Sequence, residues 1–344
     1  MVVVSKPTRL GTLILASLSI LPGARAHGQI KGVLANGVYT YGPNIYWDAD
    51  PVNAKTAVRK MYQAASPSYN LPQDFSDDSK MACEGAAGAP QTVTVTAGSV
   101  LQLPASSTVN PVLGTSRAGQ NPWVHAMGTV ASYIAGCNGD CTTFDASQGS
   151  WVKLALFGID RTETISNDLR TTMQGKPEEY YPTAGTSGLW GMARFVQSGS
   201  SWGITVPSEL ADGDYIVRHE LGAVHNPWNA QDDTSGTQLY IGCIQVKVTG
   251  GGSSHLPTGT KAGSLYKTDG AFARYNVYED NGKTFVDPGP AIWSPSSSSK
   301  REEEHAFSNH TSSANELEEC DEEQPERKMK KVKRSLRHGA AMKH

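Results

Sequence analysis

The sequence predicts an all-β fold of two packed sheets with long loops and a disordered C-terminal tail, and three observations carry that prediction. Several short runs alternate apolar and polar residues with period two, the pattern of a strand with one face against a core. The 35 glycines and 19 prolines punctuate those runs with turn signals, while long apolar repeats at helical spacing are missing. After Trp293 the composition breaks: residues 294–299 are serine-rich, an acidic cluster runs through 302–304 and 316–326, and a basic block fills 327–337. Such charge blocks bury too little apolar surface to offset the entropy of ordering them.

The strands follow in order. Thr and Val alternate over 92–95 before the Ala97-Gly98 turn, and an extended pattern resumes over 100–103 until Pro104. Further strands are expected at 129–135, 151–157, 202–206, 214–219 and 238–248. Residues 161–201 have little period-two pattern and are rich in Gly, Thr and Ser, so they read as a long surface loop region.

Residues 1–26 read as a secretory signal peptide: Lys6 and Arg9 precede the largely apolar stretch 10–21, and Ala24-Arg25-Ala26 is a small-x-small cleavage site. Three segments result: signal peptide 1–26, a sandwich domain over 27–293, and a linker with charged tail over 294–344. The apolar stretch before Ala26 is too short for a membrane span, and no other segment qualifies. The product is therefore expected outside the cell. A net charge of −3 with no basic stripe in the folded part argues against nucleic acid as a partner. The sequon Asn309-His310-Thr311 is the candidate glycosylation site, in the tail.

Five cysteines in an oxidising compartment leave one over. Cys137 and Cys141 flank the turn residues Asn138-Gly139-Asp140, and their ends can close into a local bridge. Cys83 and Cys243 then form a long-range staple, with Cys320 left in the tail.

Cleavage after Ala26 would leave His27 with a free α-amine beside an imidazole, two nitrogen donors on one residue. That amine has an unperturbed pKa of about 7.7–8.0, low enough to ligate a divalent cation near neutrality. Among divalent first-row metals, such nitrogen donors hold Cu²⁺ most tightly. His125, in Pro122-Trp123-Val124-His125, and Tyr240, in Gln238-Leu239-Tyr240, are the other candidate ligands. On a strand Gln238 and Tyr240 share a face with Ile244, Val246 and Val248, so Tyr240 ends a core face and Gln238 offers it an amide.

Several further fragments occur in order: His27-Gly28; Gly128-Thr129-Val130 with Tyr133-Ile134-Ala135; Cys137-Asn138-Gly139-Asp140-Cys141; and Gly213-Asp214-Tyr215-Ile216-Val217-Arg218-His219-Glu220 leading to His225. Gln238-Leu239-Tyr240, Cys243, Val248-Thr249-Gly250-Gly251-Gly252 and Pro288-Gly289-Pro290 complete them. From His27 to about Trp293 the chain resembles the fungal lytic polysaccharide monooxygenases of auxiliary-activity family nine. The resemblance implies an immunoglobulin-like or fibronectin-III-like sandwich holding one copper per chain in a histidine brace. The His27 amine and ring, with the His125 ring, would supply three nitrogens, and the Tyr240 oxygen would lie axial. It further implies oxidation of cellulose or a related β-1,4-glucan at C1 and/or C4, with O₂ or H₂O₂ and an external electron donor, by a monomer. His225 and Gln238 match the family's pair that hydrogen-bonds the oxygen species, and Tyr240 stands with them.

Two departures stand out. Ala126-Met127 lengthens the loop between His125 and Gly128 by one residue, and the segment between His225 and Gln238, with Pro227-Trp228 and Asp232-Asp233, is longer than the family pattern. For substrate contact, Tyr266 resembles the family's late surface-loop tyrosine, and Tyr41, Trp47 and Trp228 are further candidates. His219 reads as structural. The competing readings are a non-catalytic copper-binding protein of the same fold, a metal-free carbohydrate-binding module, and a glycoside hydrolase. The last would need two carboxylates across a sugar, whereas Glu220 and Asp214 lie on one strand at the wrong spacing.

Overall fold

A computed structural model describes residues 29–45, 47–61, 69–106, 123, 125–173 and 187–295. His27, the proposed leader, Asn309, Cys320 and the tail lie outside the described residues. The strands are β1 (Gln29–Ile30), β2 (Gly32–Ala35), β3 (Val38–Tyr41), β4 (Val93–Thr96), β5 (Val100–Ser106), β6 (Gly128–Gly136), β7 (Val152–Phe157), β8 (Ile159–Thr164), β9 (Ser187–Trp190), β10 (Ser201–Thr205), β11 (Gly213–Ala223) and β12 (Gln238–Thr249). The helices are short: α1 (Asp78–Cys83), α2 (Asn167–Met173), α3 (Gly191–Gln197) and α4 (Val277–Asp280).

The architecture is a β-sandwich. One sheet joins β1, β5, β2 and β3, with β10 also on β5, and the other runs β4-β12-β11-β6-β7. Register assigns the faces of the second sheet. Leu221 pairs with Tyr240 and Val130, and His219 pairs with Gly242 and Ser132, so these residues share one face. Ile30 of β1 packs over Gly242, where a Cβ would lie 2.4 Å from its Cδ1, which marks that face as the one turned to the first sheet.

The outer face of the second sheet is covered as well, so β6, β11 and β12 are buried on both sides for most of their length. In the plane of the sheet, Arg59 N donates to Cys243 O at 2.8 Å and Asn70 N to Leu239 O at 2.9 Å, so two loop segments bridge the edge of β12 opposite β11. Gln245 bonds with Arg59 and with the backbone of Ala89 and Gln91. Helix α1, capped by Asp77 accepting from Ser79 N and Lys80 N, docks on the outer face. There Cys83 is bridged to Cys243. Cys137 is bridged to Cys141 across the turn.

The region 161–201, expected as a surface loop, is a correction. It contains most of β8, helix α2, strand β9 and helix α3. Met192, Ala193, Phe195 and Val196 of α3 lie in the core. A seven-residue helix buried on most sides shows no amphipathic stripe, so the composition around it disguised it.

Candidate metal centre

Three chain segments meet at one end of the second sheet. The first enters β6. Trp123 is 1% exposed, and its backbone N–H donates to Ser200 Oγ at 2.6 Å, which fixes the approach to His125. Ala126 and Met127 are both fully buried, and Val224 N donates to Met127 O at 3.0 Å, so the loop between His125 and Gly128 is tucked against the end of β11 rather than pushed outward. Gly128 follows with φ +149°, and a Cβ there would lie 2.1 Å from Gly222 O. Only glycine fits.

The second segment leaves β11 and carries His225, whose ring stacks on His125 with centroids 3.9 Å apart and planes at 15°. The long connection to β12 closes on itself: Gly236 N donates to Asn226 O, Asn226 Nδ2 to Thr234 O, and Asn229 N to Ser235 Oγ. The third segment is the start of β12. Tyr240 Oη donates to Gln238 Oε1 at 2.7 Å and lies 3.3 Å from His125 Nε2. With its one hydroxyl proton committed to Gln238, the Tyr240 oxygen turns lone pairs toward His125 Nε2.

His125, His225, Gln238 and Tyr240 therefore converge as a set. The Tyr240 ring is clamped by Trp123 edge-on at 5.1 Å and by Tyr69 at 5.7 Å. Among the described residues no cluster of three His, Cys, Asp or Glu side chains gathers to hold a metal. The donors that converge are an imidazole nitrogen and a phenol oxygen, a set suited to a borderline metal such as copper and in need of a further nitrogen donor. Tyr278 was missed by sequence reasoning. Its phenol donates to His225 O at 3.0 Å from 53 residues away, with no local pattern to flag it.

Tyr266 is a correction. Expected on the surface as a sugar contact, it is 6% exposed and donates to Glu220 Oε1 at 2.5 Å, with Tyr133 Oη at 2.6 Å. Glu220 neighbours Leu221 on β11 and so faces away from Tyr240, beneath the outer loops. Buried there with Arg218, which it meets at 2.7 Å, the carboxylate requires further donors, and Tyr266 is one. Burial, then the Glu220 charge, pushes both phenols up. Burial alone would lower the Arg218 guanidinium, but the Glu220 carboxylate together with the Tyr266 and Tyr133 phenols outweighs it, and the net shift is upward. On the inner face His219 is fully buried, and burial, with the Arg218 charge, lowers its imidazole to about 3.

Trp228 is 37% exposed three residues beyond His225, and Trp47 is 47% exposed on the loop stapled by Asp50 and Asn53.

A β-sandwich that gathers an imidazole pair, an amide and a buried phenol at one end has the form of a metal-dependent oxidoreductase. Comparison with known proteins narrows that class. The model of Auxiliary Activity family 9 (formerly GH61) matches residues 27–285, and the chain belongs to that family of copper-dependent, polysaccharide-oxidising monooxygenases. It is 31% identical over 280 residues to AA9 family lytic polysaccharide monooxygenase F of Malbranchea cinnamomea, covering 80% of this chain and 95% of that one. To monooxygenase B of Heterobasidion irregulare it is 32% identical over 292 residues, covering 81% and 97%. The solved structure of Cel61B, a glycoside hydrolase family 61 member from Hypocrea jecorina, superposes with a TM-score of 0.60 at 26% identity, over 78% of this chain and 100% of that one.

Proposed function

We propose that the chain is a secreted, monomeric monooxygenase that cleaves β-1,4-glucan, cellulose first, at C1 and/or C4, with O₂ or H₂O₂ and an external electron donor. The supporting observation is the convergence of His125, His225, Gln238 and Tyr240 at one end of the sandwich. The leader is cut after Ala26, and the family match opens at residue 27. His27, through its amine and ring, joins the His125 ring nitrogen and the Tyr240 oxygen as the holders of one copper.

Chain reach supports that role. Ile30 packs on Gly242, two residues or about 7 Å along β12 from Tyr240. Three residues of extended chain reach about 10 Å, enough to bring residue 27 to the site.

Bound copper would supply the redox chemistry that hydrogen removal from a strong glycosidic C–H bond requires. The chain's own groups do the rest. Gln238 Oε1 holds the Tyr240 proton and keeps the phenol oxygen turned to the site, while Trp123 and Tyr69 shield its ring from water. His225, stacked on His125, presents a second imidazole for hydrogen bonding and proton transfer. Trp228 and Trp47 are proposed sugar contacts. Glu220, a carboxylate that a hydrolytic reading would call on, is enclosed on the far face.

Copper-loaded protein beginning at His27, given cellulose, a reductant and oxidant, is expected to release aldonic acids or C4-oxidised ends by mass spectrometry. Native oligosaccharides alone would overturn the reading. One glycine added ahead of His27 removes the amine and should weaken copper binding by orders of magnitude; equal affinity would refute the role of His27.

A further inference from the structure

We infer that Trp228, Arg274 and Tyr278 form a preorganised step on the His225 side of the site that seats a neutral β-linked glucan chain. The inference rests on the proposed function and adds to it where the chain lies and which groups grip it.

Position is the first argument. Tyr278 Oη donates to the backbone carbonyl of His225, and Trp228 follows His225 by three residues, so both aromatics flank the residue whose ring stacks on His125. Exposure is the second. Trp228 is 37% and Tyr278 39% exposed, and an indole and a phenol left open to water on one end of a molecule are what a sugar's C–H face can cover.

The third argument is Arg274. Its guanidinium lies 4.5 Å from the Trp228 ring centroid. It makes no ion pair or side-chain hydrogen bond with any described residue. Stacking holds the planar fork in place while its N–H donors stay open, a geometry that meets two acceptors at once. Vicinal sugar hydroxyls offer such a pair. The nearby loop carries Asp232 and Asp233, both exposed, so the step is not cationic overall and suits a neutral chain over an acidic one.

The step is also rigid before any ligand arrives. The Trp228 loop is closed by Gly236 N to Asn226 O and braced by Ser235 with Asn229 and Asp232. Thr237 bonds Ala273 O through its N–H and Phe272 O through its hydroxyl, which fastens the Arg274 segment to the chain entering β12. Little ordering entropy remains to oppose binding.

The test uses the copper-loaded chain beginning at His27, with cellohexaose and microcrystalline cellulose as probes. Trp228→Ala and Arg274→Ala are each expected to raise KM for cellohexaose about tenfold, the ratio that loss of about 1.4 kcal/mol of contact gives, with a much smaller change in kcat. Copper affinity and the copper electron-spin spectrum should stay at wild-type values. Arg274→Lys, which keeps the charge and loses the fork, should resemble the alanine variant. Wild-type KM and cellulose binding in both alanine variants would overturn the inference, as would a shifted copper spectrum with unaltered sugar binding. Cellohexaose titrated calorimetrically into metal-free protein reads the step by itself: binding lost in both variants supports it even if oxidised products never form, which would count against the proposed function alone.

Discussion

Neighbouring side chains of β11 serve different layers, and three consecutive residues carry the consequences. Arg218 and Glu220 point outward into a buried ion pair closed by Tyr266, and His219 points inward beside Phe195. Glu220→Gln leaves the Arg218 charge without its partner and is expected to cost about 3–5 kcal/mol in urea unfolding. The double change Arg218→Met with Glu220→Leu should recover much of that loss, since it removes both charges together. His219 titrates at about 3 when folded and near 6.5 when unfolded, so the unfolded chain binds the extra proton between those values. Its contribution is present above about pH 6.5 and is lost as pH falls toward 3, at up to about 1.4 kcal/mol per pH unit. Unfolding midpoints at pH 7.5 and 4.5 should therefore lie closer together in His219→Phe than in wild type. At this scale Gln238 and Tyr240 were legible because a strand's period assigns faces, whereas His125, on the loop before β6, was singled out by the family resemblance. Tyr266 was not legible, because its partner Glu220 lies 46 residues away and nothing local announces a buried carboxylate.

Elements hold these residues in place through a few decisive joints. Gly128 is one: Gly128→Ala would drive a Cβ into Gly222 O just where β6 begins after His125. The variant is expected to lose copper affinity together with thermal stability, read by calorimetry. The two disulfides are another. By loop-closure entropy the Cys83–Cys243 bridge, spanning 160 residues, is worth about 5 kcal/mol and the Cys137–Cys141 bridge, spanning 4, about 2. Paired Cys→Ala variants should preserve that order in denaturant midpoints, and the reverse order would reject the entropic account. Strands β4, β6, β11 and β12 were readable from alternation and turn residues to within a few positions. Helix α3 and the β8–β9 ribbon were not, since burial on most sides erases the amphipathic pattern that identifies an element.

Across the whole molecule, the described structure closes on itself before the tail. Trp293 N donates to Lys153 O at 2.8 Å, bringing the last described segment against β7. A chain spanning 27–295 retains every contact described above, and its copper affinity and unfolding midpoint are expected to match those of a chain spanning 27–344. A large drop in either would show that the tail contributes to the domain. The fold class was legible because turn chemistry and period-two runs recur along the length. Less legible was the double covering of the second sheet, which depends on loops distant in sequence from the strands they shield.

The connection from Asn226 to Gly236 returns to its starting point, with its two ends joined by a backbone hydrogen bond of 3.1 Å. Residues can be added to or removed from the interior of such a lobe without transmitting strain to either anchoring strand. The ground beside the candidate site can thus lengthen or shorten while His125 and Tyr240 keep their places.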